Sequence, residues 1–119
     1  MNDIDRTRRV NELLRREISE FIERNLSFEL KCLATVNSVK VSPDLHDAQV
    51  YISFYGGNGN LHKNAMRKIV RNRSKIQAQI NKNMKIRNTP KLDFRLDDSI
   101  AKGDKIIRLI EELGIEDTE

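Results

Sequence analysis

The stretch VSPDLHDAQVYISFYG, residues 41–56, holds a turn and a strand back to back. In its second half Ala48, Val50, Ile52 and Phe54 alternate with Gln49, Tyr51, Ser53 and Tyr55. That period of two marks a β-strand with one face buried. Ahead of it, Ser42 and Pro43 suit the first two positions of a type I turn, because proline presets its own φ and the serine hydroxyl can bond back to the chain. Upstream again, Ala34, Val36, Val39 and Val41 form two alternating pairs that are out of phase by one residue around Asn37 and Ser38. A strand cannot change phase without an extra residue, so a β-bulge is predicted there. The quoted stretch is therefore the second half of an antiparallel hairpin.

Working outward, Val10, Leu13, Leu14, Ile18, Phe21, Ile22 and Leu26 recur at three- and four-residue steps, which predicts an amphipathic helix over residues 5–26. Arg8, Arg9, Glu12, Arg15, Arg16, Glu20 and Glu23 lie between them, a mixed-sign exterior that serves as well for solvation as for binding. On the other side of the hairpin, GGNGN at residues 56–60 reads as a flexible connector. It lacks the Gly-Lys-Ser/Thr ending of a phosphate-binding P-loop. Helical spacing resumes over residues 61–86 with Leu61, Ala65, Ile69, Ile76 and Ile80 on one stripe. Unbroken, that helix would be about 40 Å long. The stripe loses a turn at Asn72 and Arg73, followed by Ser74, so two helices meeting at a bend are predicted. Asn88, Thr89 and Pro90 end the second piece, since a proline pushes the residue before it out of the helical region. Leu92, Phe94 and Leu96 alternate in a third strand. Ser99 can then cap a last helix carrying Ile100, Ile106, Ile107, Ile110 and Leu113, weakened by Gly103 and stopped by Gly114. The predicted class is α+β, a three-stranded sheet covered by helices in the order α-β-β-α-α-β-α.

At 119 residues, 38% hydrophobic and 34% charged, the chain suits one small domain with a heavily solvated surface. Cys32 is the only cysteine, which excludes an internal disulfide and fits a reducing compartment. No apolar run approaches the ~18 residues that span a bilayer, and the N-terminus carries no apolar signal segment. A cytoplasmic protein with no membrane partner is expected.

The net charge of +4 is modest, but its distribution is not. Residues 1–60 hold 8 basic and 9 acidic groups, residues 61–91 hold 10 basic and none acidic, and residues 92–119 hold 4 basic and 9 acidic. Within the central block Lys63, Arg67, Arg71 and Lys75 are spaced four apart, one longitudinal row nearly opposite Ala65 and Ile69. Lys68 flanks the row, and Lys82 and Lys85 continue it. Like charges so spaced destabilise a helix by about 0.2–0.5 kcal/mol per pair. A solubilising face would interleave both signs, and an anionic membrane would compete with the sheet for the aliphatic stripe. Nucleic acid phosphates are the partner this pattern favours. Tyr51 and Tyr55 could stack bases, although strand tyrosines more commonly pack.

Catalytic and metal chemistry find little footing. Ser42, Asp44 and His46 fall within one short turn with no oxyanion site beside them, and His46 and His62 lack companion ligands at metal-binding spacing. No enzyme, metal, cofactor or small-molecule substrate is expected.

The order α-β-β-α-α-β, with a basic helix pair against three strands, is one way to build a KH-type RNA-binding fold, although the Gly-x-x-Gly loop is absent. The run Val39-Lys40-Val41-Ser42-Pro43-Asp44-Leu45, followed by Ala48-Gln49-Val50-Tyr51-Ile52-Ser53, resembles the hairpin signature of the bacterial ribosome-binding factor A family. Arg6, Arg9, Val10, Leu14, Glu17 and Ile18 are similar to that family's opening helix, and Arg87, Pro90, Leu92, Phe94, Asp97 and Ser99 to its passage into the last strand.

The resemblance implies a type II KH-like domain over residues 1–98, with a C-terminal helix and acidic tail over residues 99–119. It also implies a non-catalytic assembly factor, monomeric when free, that binds the immature 30S subunit and its 16S ribosomal RNA. Such a factor assists late maturation and 16S processing and contributes to cold adaptation. In that family an Ala-x-Gly kink replaces the Gly-x-x-Gly loop, and here its place falls on Asn72-Arg73-Ser74. The chain departs from the pattern there and at Pro90-Lys91-Leu92, where lysine replaces the usual acidic residue. The expected RNA-binding residues are Lys63, Arg67, Lys68, Arg71, Arg73, Lys75, Lys82, Lys85 and Arg87. The other readings are a KH-like protein acting on different RNA, and a protein-interaction adaptor working through its acidic tail and final helix.

Overall fold

The computed structural model describes residues 3–85 and 89–97. Helix α1 runs from Asp3–Asn25, a single helical turn α2 from Ser27–Leu30, strands β1 and β2 from Leu33–Val41 and Asp47–Tyr55, helices α3 and α4 from Gly59–Arg71 and Arg73–Met84, and strand β3 from Lys91–Leu96. The proposed final helix and tail lie outside the described residues.

The sheet order is β1-β2-β3. β1 and β2 are antiparallel, whereas β3 runs parallel to β2, so α3 and α4 together form the crossover that a parallel pair requires. The predicted bulge is present: Val36 pairs with Ile52 and Ser38 with Tyr51, leaving Asn37 without a cross-strand partner. The extra residue returns both Val36 and Val39 to the buried face.

The predicted turn is equally recognisable. The Ser42 carbonyl accepts from the Leu45 N–H at 2.8 Å, and the Ser42 hydroxyl accepts from the Asp47 N–H at 3.1 Å. Asp44 Oδ1 accepts from the Ser42 hydroxyl at 2.6 Å and from the His46 N–H at 3.1 Å. Ser42, Asp44 and His46 are thus occupied in closing the turn.

One face of the sheet, carrying Val36, Val39, Ala48, Val50, Ile52, Phe54 and Leu92, meets the helices. From α1 come Leu14, Ile18 and Ile22, from the α1–α2 junction Leu26, from α2 Leu30, from α3 Ala65 and Ile69, and from α4 Ile76 and Ile80. Leu13, placed on the helical stripe by spacing, sits at its edge and is exposed. Leu61 is only half-buried. Along β3 burial fades from Leu92 at 0% to Leu96 at 58% exposed.

Two features of the fold escape periodicity. The turn α2 is too short to show a period. It forms because Leu26 and Leu30, one helical turn apart, are both buried, and Lys31 ends it in the left-handed region at φ 58°. The connector at residues 56–60 is more ordered in role than its composition suggests. Asn58 caps α3, its Oδ1 accepting from the Leu61 N–H at 2.9 Å, so the helix begins at Gly59. Gly57, at φ 78°, lies where a Cβ would clash with the Leu61 side chain.

Candidate nucleic-acid interface

Helix α3 buries Ala65 and Ile69 against the fold. Arg67 lies between them in sequence, about 200° around the helix from either, so it must point away from the core. Lys63 and Arg71, one turn before and after, share its face, and all three are exposed. On α4 the buried residues are Ile76 and Ile80, and Lys75 and Lys82 occupy the opposite, exposed side. Lys85 follows as the left-handed C-cap of α4, also exposed.

The two helices meet at a single residue. Asn72, at φ −94° and ψ 11°, leaves the helical region. Its N–H is shared between the carbonyls of Lys68 and Ile69 at 3.2 and 3.0 Å, while its side-chain amide donates to the Lys68 carbonyl at 2.8 Å. Its own carbonyl still accepts from the Ile76 N–H at 2.9 Å, so the hydrogen-bond ladder resumes at once. Of the three residues expected to form the kink, Asn72 makes the interruption. Arg73 and Ser74 already belong to α4.

Among the described residues the ion pairs are Glu12–Arg15 at 2.5 Å, Glu20–Arg24 at 3.9 Å and Asp93–Arg95 at 2.9 Å. None involves Lys63, Arg67, Arg71, Lys75, Lys82 or Lys85. Arg67 has a neutral neighbour, donating to Asn64 Oδ1 at 3.0 Å. Among the described residues these cations therefore stand exposed without a carboxylate partner.

Two of the expected cations are turned inward instead. Lys68 is half-buried, and its Nζ donates to the Glu29 carbonyl at 2.6 Å, tying α3 to α2. Arg73 is half-buried, and its Nη1 donates to the Leu92 carbonyl at 3.3 Å, tying α4 to β3. Spacing contains the signal for both. Lys68 is seven residues after Leu61, on the margin of the apolar stripe, and Arg73 is three before Ile76 and seven before Ile80, within it. A cation on the inner face can remain only by finding an acceptor, and a backbone carbonyl supplies it. Arg87 lies outside the described residues.

The tyrosines do not join the row. Alternation along β2 puts Tyr51 and Tyr55 on the sheet face away from the helices, with the Tyr51 hydroxyl donating to Gln49 Oε1 at 2.7 Å and Lys40 Nζ 5.7 Å from its ring centre. No group of His, Cys, Asp and Glu that could hold a metal is found among the described residues. Nor is any of their helices long and apolar enough to cross a membrane.

A three-stranded sheet with one face under helices, joined by an interrupted helix pair, defines a KH-like α+β domain. Its likeness to solved structures supports that class. A crystal structure of ribosome-binding factor A from Thermus thermophilus superposes with a TM-score of 0.65 at 23% identity, covering 76% of this chain and 94% of that one. Coordinates of the Thermus thermophilus factor fitted into a cryo-EM map of a 30S complex superpose with a TM-score of 0.60 at 23% identity, covering 72% of this chain and 89% of that one. In sequence, ribosome-binding factor A of Dictyoglomus thermophilum is 36% identical over 113 residues, 94% of this chain and 93% of that protein. The family model for ribosome-binding factor A matches residues 6–110. The chain belongs to the ribosome-binding factor A family.

Proposed function

We propose that the chain binds the immature 30S subunit as a non-catalytic assembly factor and grips 16S ribosomal RNA through the outward faces of α3 and α4. The observation that carries this reading is the exposed run Lys63, Arg67, Arg71 and Lys75, continued by Lys82, with no ion-paired carboxylate among the described residues. Such a face meets phosphates, which position a protein on RNA without reading bases. Lys68 and Arg73 act from behind, holding α3 and α4 to the fold. Family membership extends the reading to late 30S maturation, 16S processing and a contribution in the cold, by a cytoplasmic protein that is monomeric when free. The relative fitted into a 30S map supports the choice of subunit.

The test reverses Arg67, Arg71 and Lys75 to glutamate together and follows co-sedimentation with 30S precursors at low salt. Binding should fall by at least tenfold while circular dichroism and the melting temperature stay near those of the parent, because all three side chains are exposed. Unchanged co-sedimentation by the folded variant refutes this face. Equal binding to unrelated structured RNA would shift the assignment from the small subunit to RNA in general.

A further inference from the structure

Phe28 is 95% exposed, the most exposed of the large apolar side chains in the described residues. Its backbone is nevertheless anchored. Leu26 and Leu30, two residues to either side, are 3% and 2% exposed and anchor the α2 turn in the core. Because α2 is helical, residues two apart point nearly opposite ways, so burying both leucines forces Phe28 outward. The Glu29 and Leu30 N–H groups close the turn on the Leu26 carbonyl at 2.9 and 3.1 Å.

Among the described residues, the elements beside Phe28 carry cations. Lys68 Nζ donates to the carbonyl of Glu29, the very next residue, which brings α3 alongside. Arg71 lies one turn further along α3, and Lys31 follows α2; both are exposed. Glu29 is the one carboxylate on the turn itself. An exposed aromatic ring carried on an anchored turn at the margin of a phosphate-binding face is an arrangement on which single-stranded RNA stacks.

We propose that Phe28 is a base-stacking platform, taking an unpaired nucleobase whose flanking phosphates lie toward Arg71 and Lys31. This rests on the RNA-binding reading above and adds to it a contact of a different kind. Phosphate contacts are salt-dependent, whereas stacking of a neutral base releases no counterions.

The chain contains no tryptophan, so Phe28→Trp creates a single indole reporter. On saturation with 30S subunits, or with a 12-nucleotide oligoadenylate, its fluorescence should fall by about half as a base stacks on it. A blue shift without quenching would mean burial against a ribosomal protein and would overturn the proposal. In parallel, Phe28→Ala should weaken 30S binding about tenfold with the slope against salt unchanged. Phe28→Tyr should bind like the parent and Phe28→Leu like the alanine variant. Parent-like binding by Phe28→Ala or Phe28→Leu would also overturn it. Failure of the phosphate face shows instead in the Arg67, Arg71 and Lys75 reversal, so the two ideas fail separately.

Discussion

Lys31 and Asp44 show how single residues set the local backbone. Lys31 adopts φ 58° and ψ 20° to end α2, a conformation that costs an L-residue about 1–2 kcal/mol and glycine almost nothing. Glycine also loosens the unfolded chain, so Lys31→Gly should gain only about 0.5–1 kcal/mol net. Thermal denaturation should show a melting temperature a few degrees higher. The Asp44 carboxyl titrates below the usual aspartate range because the Ser42 hydroxyl, and then the His46 N–H, bond to its ionised form. A depressed folded-state value stabilises the protein above the ordinary aspartate pKa, and the gain is lost as pH falls through the folded value. Asp44→Asn should therefore lower stability most in the neutral region, and the difference from the parent should shrink as pH falls below about 4, which flattens the acid end of the profile. Urea titrations at a series of pH values check the sign.

At the scale of elements, the bulge is more than a phase correction. Asn37, set free of cross-strand pairing, donates through Nδ2 to the Ser53 hydroxyl at 2.5 Å and to Asp97 Oδ2 at 2.7 Å. Ser53 in turn donates to the Asp97 carbonyl at 3.2 Å, and the Asp97 N–H bonds to the Ile52 carbonyl at 2.8 Å. One side chain thus links β1, β2 and the end of β3. Asn37→Ala should cost about 2 kcal/mol in urea denaturation, since one of the lost bonds is to a carboxylate. A double-mutant cycle with Ser53→Ala should show coupling, because the two share a partner. The phase slip that locates the bulge is visible in Ala34, Val36, Val39 and Val41. The network is not, because Asn37 and Asp97 are 60 residues apart and nothing local relates them.

Across the whole molecule, charge and apolar surface separate onto opposite sides of α3 and α4, and the helices interpose themselves between sheet and solvent. If Lys63, Arg67, Arg71 and Lys75 each neutralise one phosphate, the logarithm of the RNA affinity should fall with the logarithm of salt with a slope of about −3 to −4. Arg71→Ala should reduce the magnitude of that slope by about one. Equilibrium binding from low to moderate salt measures both. The period-two and helical patterns, the turn at Ser42 and Pro43, and an acidic-free block of ten cations are local properties, so the order of the longer elements from α1 to β3, the bulge and the outward row were readable from sequence alone. Tertiary packing decided the rest. It drew Lys68 and Arg73 to backbone carbonyls, narrowed the break to Asn72, and made a helical turn of Ser27–Leu30 that leaves Phe28 in water. The physical reason is reach: periodicity reports which side of an element faces the core, but the acceptor or ring that a side chain meets belongs to another element, distant in sequence and placed only when the chain closes on itself.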